Sequence, residues 1–232
     1  MMNSKQQFFT DFFKEHAPIP VLDAGISLDA YVPIHLTEDS SLFSKLSSIS
    51  SAEFEQQIQF YLNTYNGHVA YGGYLEKRTI YSSRALFQES GRPSRCIHLG
   101  IDLWTLEDTP VLAAADGMVH SFKNNLGAGN YGPTIILEHS LKGLHFFTLY
   151  GHLSLRSIQQ LRTGMKFRKG DRIGSIGISA VNGDYAPHLH FQVMLDVQKF
   201  DGDYPGVCSE EDKINFMLNC PDPNILLKLP LK

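Results

Sequence analysis

The chain has 232 residues, 43% of them hydrophobic and 11% aromatic, which is enough to bury the core of one domain with a modest extension. Its formal net charge is -4 and its lysines and arginines are scattered, which argues against a nucleic-acid-binding face or an anionic membrane as partner. Nowhere does the chain approach the roughly 20 consecutive apolar residues of a membrane-spanning helix, so we expect no membrane span.

Two helices are predicted in the first third of the chain. The first covers residues 4–15, and the aromatic residues expected on its apolar side are Phe8, Phe9, Phe12 and Phe13. The second covers residues 51–65, because Ser50-x-x-Glu53 is a capping-box pattern and apolar residues follow it at one-face helical spacing. We therefore interpret residues 1–66 as an N-terminal helical extension.

The rest of the chain, residues 67–232, is predicted to form one β-rich domain. Short runs rich in Ile, Val, Tyr and Phe alternate there with turn residues, as is typical of antiparallel sheets. The predicted strands are 68–75, 97–104, 111–114, 117–124, 133–139, 144–151, 165–168, 172–176 and 188–196. The spacing favours a mainly β fold, an antiparallel β-sandwich or two packed sheets, over alternating βαβ units. Residues 209–218 are expected to form a short helix near the end.

The cysteines of the chain favour neither a disulfide scaffold nor a structural zinc knuckle. The number of cysteines is odd and no two of them form a Cys-x-x-Cys pair; they are Cys96, Cys208 and Cys220. We expect reduced thiols, with a bridge between Cys208 and Cys220 as the alternative. Cys96 is interpreted as a buried apolar residue rather than a metal ligand.

Histidines close to a carboxylate indicate a metal site. His188 and His190 are two apart on a predicted strand, so both rings lie on one face and can address the same small site. His98 and Asp102 are four apart and would be separated by roughly 13 Å along a straight strand. A bend at Gly100, which lacks a Cβ atom, would bring them together.

The residue types in this cluster point to zinc. His98, Asp102 and His190 supply two imidazoles and one carboxylate, a set that typically leaves zinc an open fourth position for water. Nitrogen ligands with one oxygen favour zinc over magnesium or calcium. The proton transfer that such a site needs is expected from His152 and His188, because an unperturbed imidazole titrates near 6.5. The sequence leaves open which of the two is the base.

Other residues of the region can be explained by structural roles. We interpret His68, His120, His139 and His145 as structural histidines, which is the usual role of a lone histidine in a strand. Each of Arg95, Tyr150 and Asn182 either lines the cleft or serves a purely structural purpose, and the sequence does not decide between the two.

Three segments resemble the signature segments of the lysostaphin-type zinc endopeptidases. They are Arg95-Cys-Ile-His98-Leu-Gly-Ile-Asp102, Tyr150-Gly-His152-Leu and Pro187-His188-Leu-His190-Phe. With the matches between them, the resemblance extends from residue 68 to residue 196 and includes Asp222-Pro223. It implies an antiparallel β fold of the duplicated hybrid motif kind, zinc at His98, Asp102 and His190, and catalytic histidines at positions 152 and 188.

The same resemblance implies a zinc-dependent metalloendopeptidase that hydrolyses peptidoglycan-type peptides, with peptide or peptidoglycan as partner. The helical extension and the lengthened segment 200–220 lie outside the common core of that family. The first residues are charged and lack the apolar stretch of a signal peptide, so a cytoplasmic location is expected, or a periplasmic or extracellular one if the substrate is cell wall. The oligomeric state stays open.

Three alternatives to that function stay open. One is an intracellular zinc hydrolase or amidase with another substrate. The second is a non-catalytic binding module of the same fold, which would be expected to have lost ligands. The third is a phosphocarrier that passes phosphate between histidines and does not need Asp102 as a ligand. Bound zinc would separate the hydrolases from the other two.

Overall fold

The computed structural model describes residues 3–37, 49–78, 85–87, 91 and 93–230. The α-helices are α1 Ser4–Phe13, α2 Ser51–Thr64, α3 Arg156–Gln159, α4 Lys213–Asn219 and α5 Asn224–Leu227, with short 3-10 turns at Leu28–Ala30 and Ala85–Phe87. The strands are β1 Tyr31–Pro33, β2 Val69–Gly72, β3 Arg95–His98, β4 Ile101–Trp104, β5 Pro110–Leu112, β6 Gly117–Asn125, β7 Gly132–Leu141, β8 Leu144–Gly151, β9 Lys166–Phe167, β10 Arg172–Ser175, β11 His188–Met194 and β12 Val207–Ser209.

An eight-stranded sheet forms the centre of the fold, in the order β1-β2-β4-β11-β8-β7-β6-β9. Two smaller sheets join β5 to β10 and β3 to β12. The prediction of a mainly β fold is confirmed. The large sheet is mixed rather than wholly antiparallel, because β1 runs parallel to β2. The long connection through α2 lets the chain return in the same direction. A sandwich of the duplicated hybrid motif type stays a prediction.

Every predicted strand overlaps a strand of the structure, with ends that differ by at most three residues. The run predicted at 97–104 is divided into β3 and β4 by Leu99 and Gly100, as the expected bend requires. Ser209 belongs to β12 rather than to a helix, and α4 begins only at Lys213. Strands β1 and β12 were not predicted, because each has only three residues and so carries little periodicity.

Helix α1 packs on one side of the domain. Its buried face is narrower than the apolar face that the sequence predicts. Phe9 and Phe13, four residues apart, are buried and pack against Phe146 of β8, with ring centroids 5.3 and 5.6 Å away. The prediction was wrong for Phe8, which is 46% exposed because it lies one residue, and so about 100° around the helix, from Phe9. Asn3 caps the start of the helix, because its side chain accepts a hydrogen bond from the backbone N–H of Gln6.

Helix α2 packs beside the strands that carry the candidate site. The predicted capping box is confirmed, since Ser50 and Glu53 each accept from the backbone of the other. Phe54 on its buried face meets the edge of the Trp104 ring on β4 at a centroid distance of 6.2 Å. The division at residue 66 stays a prediction, although β1 joins the extension to the main sheet. Among the described helices, none is both long and apolar enough to cross a membrane.

Candidate metal centre

The backbone brings the three predicted metal ligands together. Strands β4 and β11 pair antiparallel with Asp102 directly opposite His190. The bend at Gly100 returns the chain so that Nε2 of His98 lies 3.2 Å from Oδ1 of Asp102. A Cβ atom on Gly100 would lie 2.7 Å from Cε1 of His190, so glycine allows this close approach. The predicted convergence of His98 and Asp102 is confirmed.

Three ligand atoms form a nearly equilateral triangle. Nδ1 of His190 is 3.0 Å from Oδ1 of Asp102 and 3.0 Å from Nε2 of His98. With the 3.2 Å between His98 and Asp102, all three edges are similar. Atoms that bind a tetrahedral zinc at roughly 2.0–2.1 Å lie about 3.3 Å from each other. The spacing of the donor atoms therefore fits zinc.

Hydrogen bonds on the far side of each ring direct a lone pair into the triangle. Nδ1 of His98 donates to the carbonyl of Gly73, at 3.2 Å, which leaves Nε2 unprotonated. Nε2 of His190 donates to Oε1 of Gln192 at 2.9 Å, and the Gln192 amide nitrogen donates to Pro205. Nδ1 of His190 is therefore the unprotonated nitrogen. Two nitrogen lone pairs and a carboxylate oxygen face one another, an arrangement that a cation stabilises.

The protonation states suit metal binding. Burial, with the Arg78 charge as a further cause, lowers the pKa of His98 to about 3, so this ring is neutral near pH 7. Burial alone would raise the pKa of Asp102, but the Arg78 guanidinium beside it helps to lower that pKa well below its ordinary value. The Arg78 group is decisive here because it stays charged, and its Nη1 lies 2.5 Å from Oδ2 of Asp102.

His152 and His188 lie beside the triangle with one nitrogen each fixed. Nδ1 of His152 donates to the carbonyl of Asn182 and Nδ1 of His188 donates to the carbonyl of Ala186, both at 2.7 Å. The two rings are 4.2 Å apart, and the unprotonated Nε2 of His188 is 3.9 Å from Oδ1 of Asp102. Burial lowers the pKa of both histidines, so each ring is uncharged near pH 7 and its Nε2 carries a lone pair.

The backbone at His152 is held in an unusual conformation. This residue follows β8 and has a positive φ of 63°, a left-handed conformation that costs free energy outside glycine. Its N–H donates to Tyr131 and its carbonyl accepts from Gly177, so both backbone groups are tied to neighbouring loops. The surrounding structure thus directs the His152 ring towards His188.

Aromatic rings line the cavity of about 220 Å³ into which all five predicted site residues open. Trp104 stacks on His188 at 5.6 Å, with 23° between the ring planes. Tyr185 makes T-shaped contacts with both His152 and His188, with ring centroids 5.1 and 5.7 Å apart. The walls are therefore largely apolar and the polar groups are concentrated at the triangle.

Residues that sequence reasoning missed or left open complete the site. Gln192 was missed, although its position two residues after His190 on one strand places both on the same face. Arg78 was also missed, and no local pattern marks it. Arg95 lines the cavity, whereas Tyr150 is fully buried and accepts from the backbone of Ala114. Asn182 contributes its carbonyl, and its side chain fixes the loop that carries it.

The structure also bears on the roles expected of the remaining histidines and of the cysteines. His139 is buried against Phe146 and bonds to Asp116 and Thr148, away from the triangle. None of the three cysteines forms a disulfide, as the sequence favoured, but Cys96 is only half-buried, whereas a buried residue was expected.

The region that contains the site is similar to known proteins. Residues 96–202 match the model of Peptidase family M23. The chain is 32% identical over 141 residues to an uncharacterized metalloprotease of Haemophilus influenzae, covering 56% of this chain and 27% of the relative. It is 34% identical over 99 residues to the peptidoglycan DD-endopeptidase ShyA of Vibrio cholerae, covering 42% of this chain and 20% of the relative. The chain thus spans about a quarter or less of these relatives' length.

A solved structure is similar in part. The catalytic domain of lysostaphin from Staphylococcus simulans is 26% identical, with a TM-score of 0.35, over 52% of this chain and 80% of the lysostaphin domain. The match over residues 96–202 agrees with the family predicted from the signature segments, and it contains His98, Asp102, His152, His188 and His190.

Proposed function

We propose, from the membership of residues 96–202 in Peptidase family M23, that this chain is a zinc metallopeptidase that hydrolyses peptidoglycan-type peptides. The observation that carries the proposal is the triangle of unprotonated His98 Nε2, His190 Nδ1 and Asp102 Oδ1, whose edges are 3.0–3.2 Å. In this proposal His98, Asp102 and His190 hold the metal. A zinc ion bound there supplies a Lewis acid and lowers the pKa of a coordinated water to about 7.

The two remaining histidines are proposed to perform the proton transfer. Because burial keeps His152 and His188 neutral, the Nε2 atom of each is free to accept a proton, while Nδ1 stays bonded to a backbone carbonyl. One of them takes the proton of the attacking water on Nε2 and passes it to the leaving amine nitrogen of the substrate. The other contacts the oxyanion of the tetrahedral intermediate through Nε2 when that nitrogen is protonated. The 4.2 Å between their rings lets both reach the same carbonyl group.

The substrate class rests on the relatives. Two of them are named peptidoglycan DD-endopeptidases, and another is named a DD-carboxypeptidase/endopeptidase. We therefore propose that the bond cleaved joins two D-centres of a stem-peptide cross-link.

The first experiment measures metal content and cleavage together. The purified chain and His190→Ala are analysed for zinc by elemental analysis, and cross-linked stem peptides and pentaglycine are incubated with each. We expect about one zinc per chain in the wild type, loss of zinc in the variant, and cleavage of the cross-linked peptide by the wild type alone. A chain that holds no zinc when metal is in excess would refute the hydrolase and favour a binding module.

The other outcomes separate the remaining candidates. Zinc without cleavage of either peptide would refute the peptidoglycan substrate and favour a hydrolase of another amide. Cleavage of pentaglycine in place of the cross-linked peptide would refute the proposal that the bond cleaved joins two D-centres. Incubation with a phosphohistidine donor provides the test of a phosphocarrier, which would take up phosphate without needing zinc.

A further inference from the structure

Arg78 lies between two buried carboxylates beside the triangle. Its Nε is 2.7 Å from Oε2 of Glu76, and its Nη1 is 2.5 Å from Oδ2 of Asp102. The side chains of Arg78, Glu76 and Asp102 are only 2%, 5% and 5% exposed, so their charges are screened little by solvent. Removing one member of such a group leaves an uncompensated buried charge.

Glu76 connects this arginine to the N-terminal part of the chain. Its Oε1 accepts from the backbone N–H of Leu36 at 2.9 Å, a residue just beyond β1 that is 3% exposed. Hydrogen bonds therefore run without interruption from Leu36 through Glu76 and Arg78 to Asp102. The Glu76 backbone is also fixed, because its carbonyl accepts from the N–H of His98.

The Gly73–Glu76 turn contacts a second ligand as well. The Gly73 carbonyl accepts both from the backbone N–H of Glu76, at 3.2 Å, and from Nδ1 of His98. The same turn thus orients the His98 ring through Gly73 and the Asp102 carboxylate through Glu76 and Arg78. Two of the three ligands are supported from this one place.

We propose that Arg78 is a positioning residue that holds Asp102 with Oδ1 directed at the metal, and that Glu76 ties it to the N-terminal segment. The inference rests on the proposed metal site. Because Arg78 occupies Oδ2, the carboxylate offers one oxygen and cannot rotate to bind through both. Glu76 offsets the positive charge that Arg78 places near a divalent cation.

The test compares zinc affinity in folded, metal-free protein. Arg78→Lys, Arg78→Met and Glu76→Gln are titrated with zinc against a chromogenic chelator, and their folding is followed by circular dichroism and thermal unfolding. We expect Arg78→Met to bind zinc 10- to 100-fold more weakly, the usual effect of losing a residue that orients a ligand. Arg78→Lys is expected to keep more of the zinc affinity than Arg78→Met, because it retains the positive charge. It does not reach the wild-type affinity, because one ammonium cannot bond both carboxylates as the guanidinium fork does.

The control is Glu138→Gln, whose carboxylate bonds to His145 at 2.8 Å on a partly exposed surface away from the triangle. This variant is expected to bind zinc like the wild type. Wild-type affinity in folded Arg78→Met would overturn the proposal. If that variant does not fold, unchanged affinity in Arg78→Lys and Glu76→Gln would overturn it. A wild type that binds no zinc would instead refute the metal site itself.

Discussion

Asp102 and His190 lie directly opposite each other on β4 and β11, with Oδ1 and Nδ1 3.0 Å apart. Opposite residues of an antiparallel pair have Cβ atoms about 5 Å apart, so the strand register alone brings these two side chains into contact. His98 depends instead on the bend at Gly100. The site therefore combines a pair of side chains fixed by the sheet with a third, His98, that is positioned by a turn.

The bend predicts a large effect of Gly100→Ala. The added Cβ would lie 2.7 Å from Cε1 of His190 and 2.7 Å from the carbonyl oxygen of Phe191, and the latter atom cannot move without disturbing β11. We expect zinc affinity to fall at least tenfold and the thermal unfolding midpoint to fall as well. Gly25→Ala is the matched control, since its Cβ would meet only the Asp23 side chain, at 3.3 Å. Equal affinity in both variants would contradict the prediction.

The local patterns of the sequence predicted the parts of the site that depend on neighbouring residues. The alternation of a strand placed His188 and His190 on one face, and the glycine between His98 and Asp102 predicted the bend. The capping box at Ser50 also marked the start of α2 correctly. Each of these features is decided within a few residues, where backbone preferences act directly.

The parts that could not be predicted depend on residues distant in the chain. Arg78 reaches Asp102 across 24 residues, and the Gly73 carbonyl reaches His98 across 25. Such partners are brought together by the sheet order, in which β2 lies beside β4, and no period in the sequence encodes that order. The parallel pairing of β1 with β2 was missed for the same reason.

The proposed division of labour among the histidines predicts that activity and metal content can be separated. His152→Ala and His188→Ala remove rings whose nitrogens are outside the triangle. We expect each variant to retain about one zinc and to lose at least 100-fold in kcat on the peptide that the wild type cleaves. His190→Ala is the comparison, because it should lose both. Loss of zinc in His188→Ala would show that this residue is a ligand and contradict the assignment.

Gln192 is predicted to support His190 through its oxygen. Gln192→Leu would leave the N–H of Nε2 without this buried acceptor, so the His190 ring would lose the bond that keeps Nδ1 unprotonated. We expect zinc affinity to fall 10- to 100-fold while the protein stays folded. Chelator competition measures the affinity. Gln198→Leu is the control, at an exposed turn, and an equal loss in both variants would count against a specific role.

The buried His139 is predicted to make the free energy of unfolding depend on pH. Burial lowers its pKa to about 4 from an ordinary value of 6.5. Above pH 6.5 neither the folded nor the unfolded state carries this proton. Between pH 6.5 and 4 the unfolded state binds it and the folded state does not, so the free energy of unfolding falls as the pH falls through this window. The shift corresponds to about 3 kcal/mol for this group.

Urea unfolding of the metal-free protein and of His139→Gln at pH 7, 5.5 and 4.5 measures this effect. The site histidines are present in both proteins, so their titration cancels in the comparison and the difference reports His139. We expect the wild type to lose more stability than His139→Gln between pH 7 and 4.5. His145→Gln is the control, because its side chain is 50% exposed, and it should follow the wild type. If all three proteins lose stability equally, His139 is not held neutral by its burial, and its contacts with Asp116 and Thr148 must accommodate the charged ring.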